Sequence, residues 1–125
     1  NKPADLQVAR FFSDVNEIAA QVRNGNVETP LGTFSAAGFN HGAEVVAIIR
    51  PQAVTLANAG AGTEGYVLEA RFLGDKTRLL VQFNGLEEPL GVLLTGPAPQ
   101  KGETAHFSVD HDHVLIFTKP APDNI

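Results

Sequence analysis

Apolar and polar positions alternate along most of this chain, and the alternation has the period of a strand. Ile18, Ala20 and Val22 alternate with Ala19, Gln21 and Arg23, the pattern of a half-buried strand. Asn24-Gly25 follows and supplies the two residues that tolerate positive φ in a tight hairpin, so Asn26–Thr29 is read as the return strand. Leu31 to Ala36 is a further short strand set off by Pro30. From Glu44 to Arg50 the run is densely apolar, which predicts burial on both faces or nearly so. Pro51 ends it, having no N–H for a ladder, and Val54 to Ala57 is a brief strand after that corner. Gly65 to Leu73 is the longest strand pattern; Gly74-Asp75 turns it, and Lys76 to Phe83 returns with Thr77, Leu79, Val81 and Phe83 on one face. Leu90–Leu94, Glu103–Val109 and Val114–Thr118 complete the set. Helical spacing is found near the start, where Leu6, Val8, Ala9 and Phe12 lie near one face behind Asp5 as N-cap. This predicts a short helix over 5–12, with a strand across Phe11 as the alternative.

Two stretches read alike about sixty positions apart. Ala9-Arg10-Phe11-Phe12-Ser13-Asp14 returns as Ala70-Arg71-Phe72-Leu73-Gly74-Asp75, Asn24-Gly25 as Asn84-Gly85, and Pro30-Leu31-Gly32 as Pro89-Leu90-Gly91. Gly42, Val45, Ala47, Ile49, Val54 and Leu56 return as Gly102, Ala105, Phe107, Val109, Val114 and Ile116. The collinear order predicts two copies of one β unit, joined at the small, polar stretch Asn58–Glu64. The expected organisation is a connector and helix at 1–16, a first OB-like unit at 17–60, a second at 61–119 and a tail at 120–125. The fold class is all-β, with two tandem small OB-like barrels and a short N-terminal helix. Each unit is small enough to bury little apolar surface alone, so the copies should pack on each other or on a partner.

Composition narrows the function. The chain has 125 residues, 43% of them hydrophobic, and 12 Gly and 8 Pro, which suits many short strands. A net charge of −5 with nine scattered Lys and Arg argues against a sequence-independent grip on nucleic acid. One Tyr and no Trp leave an OB-type oligosaccharide or single-strand binder without its stacking face. With no Cys there is neither disulfide nor thiolate metal site, which is compatible with a reducing compartment. No apolar run approaches the roughly 20 residues that span a bilayer. The chain contains no Met, and its start, Lys2-Pro3-Ala4-Asp5, reads as a connector within a longer polypeptide.

Catalytic chemistry is missing. There is no Gly-x-x-x-x-Gly-Lys-Ser/Thr loop; Gly60, Gly62 and Gly65 cluster without a following Lys-Ser/Thr, so the chain is expected neither to bind nor to hydrolyse ATP. Ser13, Ser35 and Ser108 lack a nucleophile elbow, and Glu87-Glu88 sit on a hairpin tip without an apolar pocket. In Asp110-His111-Asp112-His113, an extended strand would place both imidazoles on one face for a metal. These residues align with the corner Arg50-Pro51-Gln52-Ala53, however, and no further converging ligand is evident, so no metal or other cofactor is assigned. Arg50 and Pro51 are interface candidates: Arg50 suits a bidentate bridge to a carboxylate across a subunit or barrel interface. An exposed corner arginine, worth under about 1 kcal/mol, is the other reading.

The segments Val46-Ala47-Ile48-Ile49-Arg50-Pro51-Gln52-Ala53-Val54 and Gly65-Tyr66-Val67-Leu68-Glu69-Ala70-Arg71-Phe72-Leu73-Gly74-Asp75-Lys76-Thr77 resemble the C-terminal TOBE region of ATP-binding subunits of bacterial ABC importers. In that family the first barrel strand runs into an Arg-Pro-Glu-like corner, and a strand ending in Phe-Leu-Gly opens the next unit. Gly102 to Phe117 resembles the closing segment, and Val8 to Asn16 the helix and Asn that join the nucleotide-binding domain. Gln52 and Ser13 depart from the usual Glu and Gly. The resemblance implies a regulatory and dimerisation appendage of an ion- or small-solute-importer ATPase, among which the ferric-iron type is preferred over polyamine and sugar types. It implies a homodimer whose apolar barrel faces meet, a parent nucleotide-binding domain, indirect contact with a membrane permease, and a cytoplasmic, membrane-peripheral location. Related barrel pairs bind molybdate or tungstate between subunits. A small-oxyanion site drawn from Lys76, Thr77, Arg78 and Ser108 is therefore the alternative function, against ordinary surface polarity at those positions.

Overall fold

The computed structural model describes residues 13–119, so the helix expected over 5–12 and the tail lie outside the described residues. Ten strands follow in order: β1 (Asn16–Arg23), β2 (Asn26–Thr29), β3 (Gly32–Ser35), β4 (Glu44–Ile49), β5 (Val54–Leu56), β6 (Thr63–Phe72), β7 (Lys76–Phe83), β8 (Leu90–Thr95), β9 (Thr104–Val109) and β10 (Val114–Thr118). Short 3₁₀ turns at Pro51–Ala53 and His111–His113 connect β4 to β5 and β9 to β10. Each expected strand is present to within a few residues.

The strands form two five-stranded sheets, ordered β10-β4-β1-β2-β3 and β5-β9-β6-β7-β8. Equating β1, β2, β3 and β4 with β6, β7, β8 and β9 makes the two orders identical, as the sequence repeat requires. The fifth strand of each is exchanged. β5 leaves the first copy to pair with β9, and β10 leaves the second copy to pair with β4. Units contiguous in sequence over 17–60 and 61–119 are therefore interlocked in space, each barrel being completed by the other copy. Every pairing in both sheets is antiparallel.

Burial follows from the exchange. β4 buries Val45, Ala47 and Ile49 inward and leaves Val46 and Ile48 half-buried on the outer face, so the apolar run is two-sided as expected. One apolar cluster runs through both barrels, from Ile18, Val22 and Val27 to Val81, Phe83 and Phe107. The Phe83 and Phe107 rings meet edge to face with centroids 5.6 Å apart. Gly65 lies where an added Cβ would run into Val81 and Phe83, so the core is closed over it. Asn16, the buried polar side chain among the described residues, sits at the seam. Its amide donates to the Gly91 carbonyl and accepts from the Gly91 N–H, both at 2.8 Å, tying the start of the first barrel to β8 of the second. The amide thereby satisfies a buried edge as a neighbouring strand would.

Candidate functional site

The two 3₁₀ turns are where the chain crosses between barrels, and they are near copies of one another. Arg50 is extended (φ −73°, ψ 148°) and Pro51, with its preset φ, opens the first turn. Asp110 (φ −74°, ψ 105°) opens the second and its carboxylate accepts from the Asp112 N–H. Val54 and Val114 leave the turns at φ −100° and −99°. The Asp110 N–H donates to the Ala53 carbonyl at 2.9 Å, joining the two crossings directly. Pro51 is buried and its turn lies beside β8, whereas Arg50 is exposed. Arg50 lines a shallow depression with Gln52, Thr55, Asp110 and His113.

The histidines serve the turns. A 3₁₀ turn replaces the extended geometry that would put His111 and His113 on one face. His111 instead rests edge-on against Phe34, centroids 4.9 Å apart, and beside Gly32. His113 Nε2 lies 3.3 Å from an Asp110 carboxylate oxygen. Among the described residues no three His, Asp or Glu side chains gather as a metal would need.

The four oxyanion candidates separate. Lys76 lines a groove with Gln52, Thr55, Leu56, Leu93 and Thr95. Ser108 is the register partner of Thr55, so its hydroxyl lies on the same face one strand over. Thr77 and Arg78 do not line this groove, and the Arg78 guanidinium donates to the Ser13 carbonyl at 3.3 Å. The polar positions that join Lys76 are Thr55, Thr95 and Gln52, which were not picked out in the sequence. Thr95 is legible as the hairpin partner of Lys76. Thr55 and Gln52 reach this groove because β5 has crossed to the second barrel, which no local pattern signals.

A larger groove of about 520 Å³ runs between the outer face of β1 and β4 and the β7–β8 loop, with Glu17, Ala19, Val46, Leu86, Glu87 and Lys119 along it. Glu87 and Glu88 thus border a groove rather than forming a bare tip. No helix among the described residues is long and apolar enough to cross a membrane.

Comparison with known proteins fits this geometry. The curated relatives include the Fe(3+) ions import ATP-binding proteins FbpC 1 and FbpC 3 of Rhodococcus jostii (strain RHA1), 27% and 26% identical over 82 residues. These matches take in 66% of this chain and 24% of each relative. Among solved structures, the cytoplasmic molybdate-binding protein ModG, crystallised with molybdate bound, superposes with a TM-score of 0.65 at 14% identity. That superposition covers 83% of this chain and 96% of ModG, and it shows a shared fold. The profile of the TOBE domain matches residues 47–117, which span β4 to β10 and both crossings, and the chain belongs to the TOBE domain family.

Proposed function

We propose that this chain is the regulatory and subunit-pairing part of the ATP-binding subunit of a ferric-iron importer, with no ATP hydrolysis of its own. The observation that carries the reading is the TOBE match over 47–117 in a chain whose relatives are Fe(3+) import ATP-binding proteins. Those relatives are about four times as long as the matched segment, so the reading places a nucleotide-binding domain in the parent polypeptide. The chain then acts on the cytoplasmic side through protein contacts, reaching the permease through that domain. Two interlocked barrels suit such work, since they present fixed faces over a continuous core. The test compares the parent subunit with and without residues 13–119. Basal ATP hydrolysis should survive within a few-fold, while subunit pairing and iron uptake fall. A parent gene without a nucleotide-binding domain, or uptake indifferent to the deletion, overturns the reading.

Small-oxyanion binding is the second reading, supported by the groove that Lys76, Thr55 and Thr95 line together. A lysine ammonium and two hydroxyls are the donors such an ion takes, and the fold is shared with a molybdate-binding protein. Calorimetry with molybdate and sulfate tests it: binding that Lys76→Ala removes would support it, and no heat at millimolar anion would dismiss it.

A further inference from the structure

The repeat supplies a control for one row of side chains. In the first barrel the inward row Val22–Val27–Phe34 is followed by Arg23–Asn26–Ser35, three polar residues that all lie exposed. In the second barrel the inward row Val67–Val81–Leu90 is followed, past a bulge between Val67 and Glu69, by Glu69–Leu80–Gly91. The positions are equivalent, yet Leu80 is 1% exposed. Leu79 and Val81 on either side of it belong to the apolar cluster inside the barrels and Leu80 does not, so by alternation it faces outward. Its register partners do little to cover it, since Glu69 is exposed and Gly91 has no side chain. The described chain starts across this same spot. The Ser13 carbonyl accepts from the Arg78 guanidinium at 3.3 Å, and the Asn16 amide is bonded to Gly91, the partner of Leu80. Between these anchors the Ser13 hydroxyl donates to the Val15 carbonyl at 2.7 Å and accepts from its N–H at 3.3 Å, which fixes the turn. Val15 is itself half-buried, and one valine covers only part of a leucine.

We infer that the segment leading into Ser13, residues 8–12, docks on the outer face of β7 and β8, where Phe11 and Phe12 cover Leu80. Residues 1–12 lie outside the described residues, and what selects them as the occupant is where the described chain starts. A residue spans at most about 3.6 Å, so Phe11 and Phe12 are tethered within about 7 Å of Ser13 and meet the patch at high effective concentration. Both are large and apolar, as the cover of a leucine must be. Charge agrees with the choice. Arg71 and Arg78 stand directly opposite one another beside Leu80, a pairing of like charges that favours acidic company, and the acids of the entering stretch are Asp5 and Asp14. The seat lies on the second barrel although the segment leads into the first. Any polypeptide joined ahead of this chain is thereby tied to both barrels at once, and Leu80 is the contact through which its movement reaches the second. The inference goes beyond the importer reading and concerns this chain whatever precedes it.

The chain has no cysteine, so engineered pairs report the contact without background. In the full 125-residue chain, Leu80→Cys is combined with Phe11→Cys or with Phe12→Cys. At least one of the two pairs should close a disulfide within the chain on air oxidation, read by intact mass and loss of free thiol. Asn26→Cys, the equivalent position on the first barrel, combined with the same partners should keep both thiols. Urea unfolding is the second arm. Leu80→Ala should raise the unfolding equilibrium constant about thirtyfold or more in the wild-type background, and less than about fivefold once Phe11→Ser/Phe12→Ser has uncovered the site. A Leu80 covered by the described strands alone would cost the same in both backgrounds. Should the Leu80→Cys variants fail to fold by circular dichroism, this unfolding cycle decides. No disulfide from either position, or equal costs in the two backgrounds, overturns the inference. A disulfide that joins two chains gives the site to a second copy, and equal closure at Asn26→Cys shows a segment without a seat; each overturns it too. Every arm uses this chain alone, so its failure leaves the importer reading to its own uptake test.

Discussion

Asn16 shows how much one side chain carries here. Removing it leaves the Gly91 N–H and carbonyl unpaired at a buried seam. Asn16→Ala is therefore expected to cost about 2–4 kcal/mol in urea denaturation, since two buried groups lose their partners. Asn16→Asp keeps the acceptor, loses the donor and buries a charge, and should be no better. Gly65→Ala tests the core from the other side. The methyl would meet Val81 and Phe83, and overpacking of this kind costs about 1–3 kcal/mol, read as a lowered unfolding midpoint. Gly25 isolates backbone strain: at φ +78° with open space around it, Gly25→Ala should cost only the left-handed penalty of about 1–2 kcal/mol. The Asn24-Gly25 hairpin was readable because both residues take positive φ, 53° and 78°. The importance of Asn16 was readable only as part of a family motif, because its partner lies 75 residues away.

At the level of elements, alternation located the strands and the repeat located the corners. The match of Arg50-Pro51-Gln52-Ala53 with Asp110-His111-Asp112-His113 holds in space: both are 3₁₀ turns between equivalent strands. From Gly42 to Leu56 the sixty-residue offset tracks the fold closely. Earlier in the chain Pro30-Leu31-Gly32 and Pro89-Leu90-Gly91 do open the equivalent strands β3 and β8, but the asparagine–glycine match misleads. Asn24-Gly25 closes β1 to β2, whereas Asn84-Gly85 closes β7 to β8, and the counterpart of β1 is β6. At the second turn Gly85 has positive φ and Asn84 does not. Shared turn chemistry produced that part of the alignment, because any tight β connection draws on the same few residues. The oxyanion candidates divided for a related reason. Lys76, Thr77 and Arg78 are neighbours in sequence, but Thr77 points to the opposite face of the strand, and Arg78, two residues along, turns to the Ser13 carbonyl instead of the groove.

For the molecule as a whole, the exchange of β5 and β10 makes sequence boundaries poor guides to stability. A chain ending at residue 113 lacks β10, and the strand it bares is β4 of the first barrel. Amide exchange should accelerate at Val45–Ile49 more than anywhere in β6 to β8, and a loss confined to the second copy would contradict the pairing. Residues 17–60 alone should fail to fold for the same reason, as should 61–119. Strand identity was legible from local alternation; strand ownership was not, since both crossings obey the same turn rules whether the chain returns to its own barrel or enters the next. The position of β4 between β1 and β10 has a mechanical side. Both flanking strands run antiparallel to β4, hence parallel to each other, and the start of β1, beside Ile49, and the end of β10, beside Val45, lie at opposite ends of the ladder. Tension between those two points would slide three strands lengthwise instead of peeling one away, so the ladder bonds would share the force. Between those two points the sheet would behave as a stiff strut, yielding late and all at once under a steady pull.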